Sequence, residues 1–332
     1  AQQESKSRIR EREESIMKKI YAVSLAAAMT AAMSATAFAG DLTFTTGGEQ
    51  GTYYAFGNVL AGEVTSATDT SVTAITSGGS AANIDALDMG DAQIAFAQSD
   101  VMAYAYEGSE RFEDGIQVNN FSTVASLYME QVQIVTVDPE IKTVEDLKGK
   151  NVSVGAAGSG VFFNAVDILG AYGMTVDDIN ATYESFGDSA DSLQDGKIDA
   201  AFITAGAPTT AVTSLGTAKE IYLVSLDDEH LEALVAECPY YNKNVIPADT
   251  YGLAEDAVTV AVGAVVIASD DVSEEDVYNF VSTVYENIDN ITTAHAKGAE
   301  LNLEFASSVT SVPYHAGAAK YFEEKGITVP VK

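Results

Sequence analysis

The sequence predicts an α/β protein of two similar lobes, joined by crossing strands, with a cleft between the lobes. One pattern, in which an apolar strand leads through a glycine-rich loop into a helix, occurs twice. Corresponding positions in the two copies are separated by nearly the same number of residues. A long apolar run at 257–268 is rich in β-branched residues. Such a run suits a strand that crosses back from the second lobe to the first.

The two copies of the pattern lie at 42–54 and 151–160. The first joins a strand to the loop GGEQGTYY, the second joins a strand to GAAGSG, and a helical pattern follows each. The glycine–hydroxyl pairs in the two loops lie 107 residues apart. An LxxG helix stop before a strand, at Leu87 and again at Leu193, repeats at an offset of 106. Two independent matches at nearly one offset predict one α/β unit used twice.

The amino-terminal residues have the pattern of an export signal. A basic start at Met17-Lys18-Lys19 precedes an alanine-rich apolar run and an Ala-x-Ala site that ends at Ala39. These features predict a signal peptide at 17–39, cleaved after Ala39, with 1–16 as upstream residues and a periplasmic protein as the product. A membrane anchor is the alternative, but serine and threonine interrupt the run, and no cysteine follows the cleavage site for a lipid.

The length and net charge of residues 40–332 restrict the architecture and the binding partners that we expect. The predicted division is 40–128 with 262–332 as lobe I and 129–261 as lobe II, because 293 residues are many for one core. The first 39 residues carry six basic and four acidic side chains, so residues 40–332 have a formal charge of −34. Such a surface repels nucleic acid and anionic lipid. We expect a soluble monomer without a nucleic-acid partner.

Five polar loops of small residues follow predicted strands and define the expected ligand site. In open α/β sheets the ligand lies at the carboxyl ends of the strands, and helix N-termini there offer free N–H groups to an anion. We expect a hydroxyl residue in each glycine-rich loop, Thr52 or Ser159, to cap the helix that follows. The predicted ligand contacts are Gly51, Thr52, Tyr53, Tyr54, Ser80, Gln98, Ser99, Ser159, Gly160, Val161, Thr204, Gly206 and Pro208.

No catalytic apparatus is evident in the sequence. Ser159 lacks the flanking glycines of a nucleophile elbow, and the chain has neither a Walker lysine nor a dinucleotide fingerprint. Its three histidines do not share metal-ligand spacing, and His315 is expected to orient a turn or cap a helix. Cys238 has no cationic neighbour closer than Lys243 and reads as an inert thiol. We expect no cofactor, no metal and no enzyme activity.

The loops resemble those of one transporter family, the TAXI group of TRAP-transporter binding proteins. The similarity covers essentially 41–330. It is carried by TGGxxGTYY at 46–54, QSD at 98–100, DLKGK at 146–150 with GxxGSG at 155–160, IPAxTY at 246–251 and HxGAxxY at 315–321. The resemblance implies a type II periplasmic-binding-protein fold that closes around its ligand. It also implies glutamate, glutamine or a related carboxylate as the solute, and delivery to a membrane permease driven by an ion gradient.

Three positions depart from the family's pattern. Ala55 stands where proline is frequent, Val161 where threonine is frequent, and Leu253 where Pro-Gly is common. Val161 adjoins the expected pocket, so this departure bears on the identity of the solute more than on the fold.

Three other functions are compatible with parts of the pattern. A receptor of an ATP-driven importer uses the same fold and differs only in these loops. An enzyme on this fold, such as the transferase that anchors a pyrrole cofactor on cysteine, needs a loop cysteine and many arginines. Arg111, in an acidic segment, is the only arginine of 40–332. A surface antigen or adhesin could coexist with solute binding.

Overall fold

A computed structural model describes residues 40–109 and 117–332. The predicted signal peptide, its cleavage after Ala39, and Arg111 lie outside the described residues. Within the described ranges no helix combines the length and the apolar character that a membrane crossing requires.

The described strands form one mixed sheet. They are β1 (Asp41–Thr45), β2 (Ser71–Ile75), β3 (Ile94–Gln98), β4 (Phe121–Thr136), β5 (Asn151–Ser153), β6 (Asn180–Thr182), β7 (Ala200–Ala205), β8 (Tyr222–Leu223), β9 (Asn242–Ile246) and β10 (Ala257–Ser269). Their order in the sheet is β2-β1-β3-β10-β4-β7-β5-β6, with β8 beside β4 and β9 beside β10.

Eleven α-helices of the described residues surround this sheet. They are α1 (Thr52–Ala67), α2 (Ser80–Asp88), α3 (Ser99–Glu107), α4 (Val161–Ala171), α5 (Phe186–Gln194), α6 (Thr210–Ala218), α7 (Asp228–Glu237), α8 (Glu274–Glu286), α9 (Ile288–Ala294), α10 (Leu303–Ala306) and α11 (Ala316–Glu324).

The sheet contains the same arrangement of strands twice. In one copy β1 pairs in parallel with β2 and β3, and β10 runs antiparallel beside β3. In the other copy β5 pairs in parallel with β6 and β7, and β4 runs antiparallel beside β7. This correspondence confirms the repeat that the sequence predicts.

The two copies are joined by the long strands β4 and β10. These strands pair with each other from Phe121↔Ser269 to Gln131↔Ala261, with register shifts after Ala264 and Val266. The run at 257–268, predicted to cross between the lobes, is therefore confirmed as a strand, β10, and it lies beside β4. We call 40–128 with 262–332 the flanking half and 129–261 the central half. Their roles as separate lobes stay a prediction.

Hydrophobic clusters follow the same division. One large cluster draws its residues from 42–128 and 264–329, with Phe163 added from α4. Two smaller clusters lie entirely within 132–262. Each half thus buries its own apolar surface, and the boundary between clusters falls along the two long strands.

Side-chain hydrogen bonds define the amino ends of two helical segments. Ser273 caps α8 by accepting from the backbone N–H of Asp276. The segment that follows Thr143 forms a 3₁₀ turn, Val144–Leu147, held by a capping box between Thr143 and Asp146. Gly149 ends it with a φ of 74°, a conformation that favours glycine.

Candidate ligand-binding cleft

A cavity lies where the carboxyl ends of the parallel strands of both halves meet. Its volume is about 70 Å³, below the roughly 300–1,000 Å³ of pockets for drug-sized ligands. The cavity therefore suits a small solute. Its lining consists of Gly47, Gly48, Gly51, Thr52, Tyr53, Ser77, Gly78, Gly79, Ser80, Gln98, Glu130, Ala156, Ser159, Gly160, Val161, Ser185, Phe186, Thr204 and Ala205.

Five helices point their amino ends at this cavity. Their N-cap residues, in chain order from α1 to α5, are Gly51, Gly79, Gln98, Gly160 and Ser185. All five residues line the cavity. The first N–H groups of a helix lack intrahelical partners, and the helix dipole makes this end positive. The cavity therefore favours the negatively charged part of a solute.

Glycines allow the loops of the two halves to approach each other closely. Gly79 and Gly158 have φ angles of 113° and 80°, which favour glycine. A Cβ atom on Gly160 would lie 1.3 Å from Oε1 of Gln98. No side chain fits at Gly160 unless Gln98 moves.

Direct hydrogen bonds connect the halves around the cavity. The N–H of Ala82 donates to the carbonyl of Gly158 over 3.0 Å. Thr52 Oγ1 donates to the carbonyl of Gly206 over 3.1 Å. The structure therefore describes a state in which the two halves are in contact across the cleft.

Asn164 on α4 sits at the centre of a buried polar network. Its Oδ1 accepts from Gln98 Nε2 and from Thr204 Oγ1, each over 2.8 Å. Its Nδ2 donates to Asp100 Oδ2 over 2.8 Å and to the hydroxyl of Tyr241 over 2.9 Å. All four hydrogen-bonding positions of this amide are used, so the network fixes the side chain of Gln98 beside the cavity.

Two carboxyl groups lie within this network. Asp100 belongs to the flanking half, and Asp167 of the central half accepts from the hydroxyl of Tyr241 over 2.8 Å. Burial, followed by the negative charge of Asp167, raises the pKa of Asp100 to about 7. The contact between the halves thus includes a carboxyl group that can hold its proton near neutral pH.

Two polar atoms of the cavity wall have no hydrogen-bond partner among the described residues. These are Ser159 Oγ and Gln98 Oε1, both buried. A buried polar atom without a partner costs about 1–3 kcal/mol. A solute in the cavity would supply the missing partners.

The cavity wall also carries one buried carboxyl group, that of Glu130 on β4. The hydroxyl of Tyr53 donates to Glu130 Oε1. Burial raises the pKa of Glu130 to about 8, although the hydrogen bond from Tyr53 acts in the opposite direction. Lys297 lies nearby and forms an ion pair with Glu300.

Comparison with protein families identifies the chain. Residues 44–326 match the NMT1-like family. The chain belongs to this family. Three solved structures are similar in fold to the NMT1-like chain, at 13–15% identity.

The first of the three is MatC from Rhodopseudomonas palustris with bound malate, at 14% identity and a TM-score of 0.56, covering 87% of this chain and 97% of MatC. A structure described as a periplasmic transporter has 13% identity and a TM-score of 0.51, with 87% and 94% coverage. A protein from Bordetella bronchiseptica RB50 has 15% identity and a TM-score of 0.51, with 85% and 88% coverage. These likenesses confirm the predicted α/β fold of periplasmic binding proteins.

Most of the ligand contacts predicted for this NMT1-like chain lie together. Nine of them line the cavity: Gly51, Thr52, Tyr53, Ser80, Gln98, Ser159, Gly160, Val161 and Thr204. The other four lie outside that lining. Ser99 Oγ accepts from the N–H of Gly263, and the carbonyl of Tyr54 accepts from Asn58. The carbonyl of Gly206 accepts from Thr52 and Thr209, and Pro208 follows a cis peptide bond.

The capping role predicted for the two hydroxyl residues is wrong. The N-caps of α1 and α4 are Gly51 and Gly160, and neither helix has a side-chain cap. Thr52 instead donates to the backbone carbonyl of Gly206 in the other half, and the part of the chain that the structure describes offers the hydroxyl of Ser159 no partner. The helix ends therefore keep their N–H groups available on the cavity side.

Sequence reasoning missed Glu130, Ser185 and Phe186. Glu130 interrupts the apolar residues of β4, and a charge inside an apolar run is the available signal. Ser185 precedes Asp188 at the spacing of an N-cap, and its Oγ accepts from that residue's N–H.

Other candidate groups of the NMT1-like chain have structural roles. His315 caps α11, and its Nδ1 accepts from the N–H of Gly317, as predicted. Within 40–109 and 117–332, no group of three or more histidine, cysteine, aspartate or glutamate residues could hold a metal ion. Cys238 is half-buried at the end of α7.

Proposed function

We propose that this NMT1-like chain is an extracytoplasmic solute-binding protein that captures a small carboxylate or amino acid and delivers it to a membrane permease. One observation carries the proposal: a cavity faced by five helix N-termini has two buried wall atoms, Ser159 Oγ and Gln98 Oε1, that have no hydrogen-bond partner among the described residues. Such a cavity is suited to bind a small polar molecule that carries a negative group.

The finer assignment is to the TAXI group of TRAP transporters. The glycine-rich loops that carry this resemblance, 46–54 and 155–160, contribute Gly47, Gly51, Thr52, Ser159 and Gly160 to the cavity lining. We propose a periplasmic monomer that hands a glutamate- or glutamine-like solute to a TRAP permease. The bound malate of MatC is consistent with a small carboxylate in this fold. A thermal-shift screen of carboxylates and amino acids tests the proposal, and the absence of any stabilising solute would contradict it.

We further propose that backbone amides and hydroxyls hold the carboxylate. Among the described residues, no side chain caps the N–H groups at the start of α4, and the hydroxyl of Ser159 beside them has no hydrogen-bond partner. An arginine clamp is the alternative. Arg111 is the only arginine of residues 40–332, and it lies in the acidic segment SERFED.

Replacing Ser159 by alanine should weaken solute binding about 10- to 100-fold. The reason is the loss of a hydrogen bond to a charged group, which contributes about 1.5–3 kcal/mol. Isothermal titration with the solute found in the screen measures the change. Ser214→Ala, at an exposed position of α6, is the matched control. Arg111→Ala should change the affinity little. A large loss at Arg111 with near-normal binding by the Ser159 variant would place the anion site elsewhere.

Solute binding should also make the protein more compact. The contacts from Ala82 to Gly158 and from Thr52 to Gly206 join the two halves directly around the cavity. A solute enclosed there shifts the open–closed equilibrium by its preference for the closed form. Small-angle scattering with and without saturating solute should show a smaller radius of gyration for the complex. An unchanged radius would argue against two lobes that close.

A further inference from the structure

Glu130 is the only cavity-lining residue, within the described part of the chain, that carries a carboxyl group. It lies on the long strand β4, opposite Val262 of β10, where the chain passes from one half to the other. Its side chain is 2% exposed. A carboxyl group is costly to bury unless another group compensates it.

The described residues compensate Glu130 only in part. The hydroxyl of Tyr53 donates to Oε1, and these residues offer Oε2 no hydrogen-bond donor. Lys297 could have neutralised the group, but it forms its ion pair with Glu300 and packs 5.3 Å from the ring centre of Tyr128. No ion pair of Glu130 occurs in the described ranges.

The titratable groups around Glu130, within the described residues, come from several elements. Tyr53 comes from α1, Tyr128 from β4 itself, Asp100 from α3, and Lys297 from the 3₁₀ turn at 296–300, whose Glu300 acts on Tyr128. The negative charge of Asp100 opposes ionisation of Glu130, and the positive charge of Lys297 favours it. The described residues thus provide this carboxyl with no cation of its own.

The cavity therefore combines two kinds of polar wall. Five helix N-termini favour a negative group, and a single carboxyl favours a positive one. A zwitterion satisfies both, because its carboxylate can meet the N–H groups while its ammonium meets Glu130. A dicarboxylate without an amino group has no positive charge to offer Glu130.

We infer that Glu130 binds an ammonium group of the solute, selects amine-bearing carboxylates over amine-free ones, and loses a proton when the solute enters. This inference rests on the proposed function. The ammonium replaces the proton as the positive charge that stabilises the buried carboxyl.

The proton release makes the affinity depend on pH. Without solute, burial holds the pKa of Glu130 at about 8, so the group is mostly protonated at pH 6 and half ionised at pH 8. Only the ionised form binds the ammonium, and the apparent affinity scales with its population. The dissociation constant should therefore fall roughly 50-fold between pH 6 and pH 8.

Isothermal titration of the mature protein with two pairs of probes tests the inference. The pairs are L-glutamate with glutarate and L-glutamine with glutaramate, which differ only in the amino group. The wild-type protein should bind each amine-bearing probe at least about 100-fold more tightly than its partner. Titrations at one pH in buffers of different ionisation enthalpy should report the release of nearly one proton at pH 7.

Glu130→Gln keeps the shape of the side chain and an acceptor for Tyr53. It should lose at least about 100-fold in affinity for the amine-bearing probe and should flatten the pH dependence, while binding of the amine-free probe changes little. Glu229→Gln, at an exposed position of α7, is the matched control and should behave as the wild type. If Glu130→Gln does not fold, the affinities of the wild-type protein for the two pairs of probes, and the pH dependence of these affinities, still test the inference.

Three results would overturn the role of Glu130 while leaving solute binding intact. These are equal affinity for amine-free probes, a pH dependence that survives in Glu130→Gln, and wild-type binding that tightens towards acid pH. The last would mean that protonated Glu130 donates to a solute carboxylate. If no carboxylate or amino acid stabilises the wild-type protein in the thermal-shift screen, the proposed function fails first, and the inference fails with it.

Discussion

Replacing Asn164 by alanine should destabilise the protein by about 3 kcal/mol and weaken solute binding about 100-fold. The variant leaves Gln98 Nε2 and Asp100 Oδ2 buried without the partners that Asn164 supplies. Tyr241 keeps its hydrogen bond to Asp167, so it contributes less to the loss. Binding suffers because Gln98 is no longer fixed beside the cavity. Urea unfolding and isothermal titration measure the two effects.

Asn58→Ala is the matched control for this experiment. Asn58 is exposed on α1, where its side chain donates only to the carbonyl of Tyr54. Its replacement should change stability by less than about 0.5 kcal/mol and leave the affinity unchanged. A loss at Asn164 no larger than that at Asn58 would show that the buried network does not hold the halves together.

Replacing Gly317 by alanine should lower the free energy of unfolding by about 3 kcal/mol. A Cβ atom there would lie 2.2 Å from the carbonyl oxygen of Glu274 and 2.9 Å from the backbone nitrogen of Tyr278. Both contacts are to the backbone of α8, so no side chain can move aside to relieve them. The helices α8 and α11 must separate, and the core between them must repack.

A second glycine variant separates the effect of a steric clash from the effect of replacing glycine itself. Gly62 lies in the middle of α1, and a Cβ atom there would meet nothing within 4 Å. Gly62→Ala should therefore stabilise the protein by about 0.5–1 kcal/mol, because alanine favours the helix. Denaturant unfolding of both variants gives the comparison. Equal effects of the two substitutions would contradict the close packing of α8 against α11.

The fold was predictable because its signals are local and repeated. The strand–loop–helix pattern at 42–54 and 151–160 reappears in space as two parallel triplets of strands. The glycine loops were predictable as cavity walls, since loops at the carboxyl ends of parallel strands meet at one edge of a sheet. The long apolar run at 257–268 was predictable as a buried strand, because only a strand that is buried on both faces remains apolar along its length.

The rest of the site depends on contacts between distant segments. Glu130 lies in an apolar strand, and no local pattern indicates that it meets Tyr53 from 77 positions earlier. Thr52 was expected to cap its helix, but a carbonyl 154 residues away accepts its hydroxyl instead. Asn164 reads as an ordinary helix residue, although four partners from three other segments converge on it. Tertiary geometry, which a single sequence does not display, decides each of these.

The path of the chain through the sheet sets the order in which the two halves can be completed. The central half is one continuous stretch, whereas the sheet of the flanking half needs β10 beside β3. Strand β10 follows the whole central half in sequence, so β3 must wait for a partner that emerges about 160 residues later. Long-range pairing of this kind slows folding. A chain that emerges from its amino end can therefore close the central half first, and the flanking half assembles around it last.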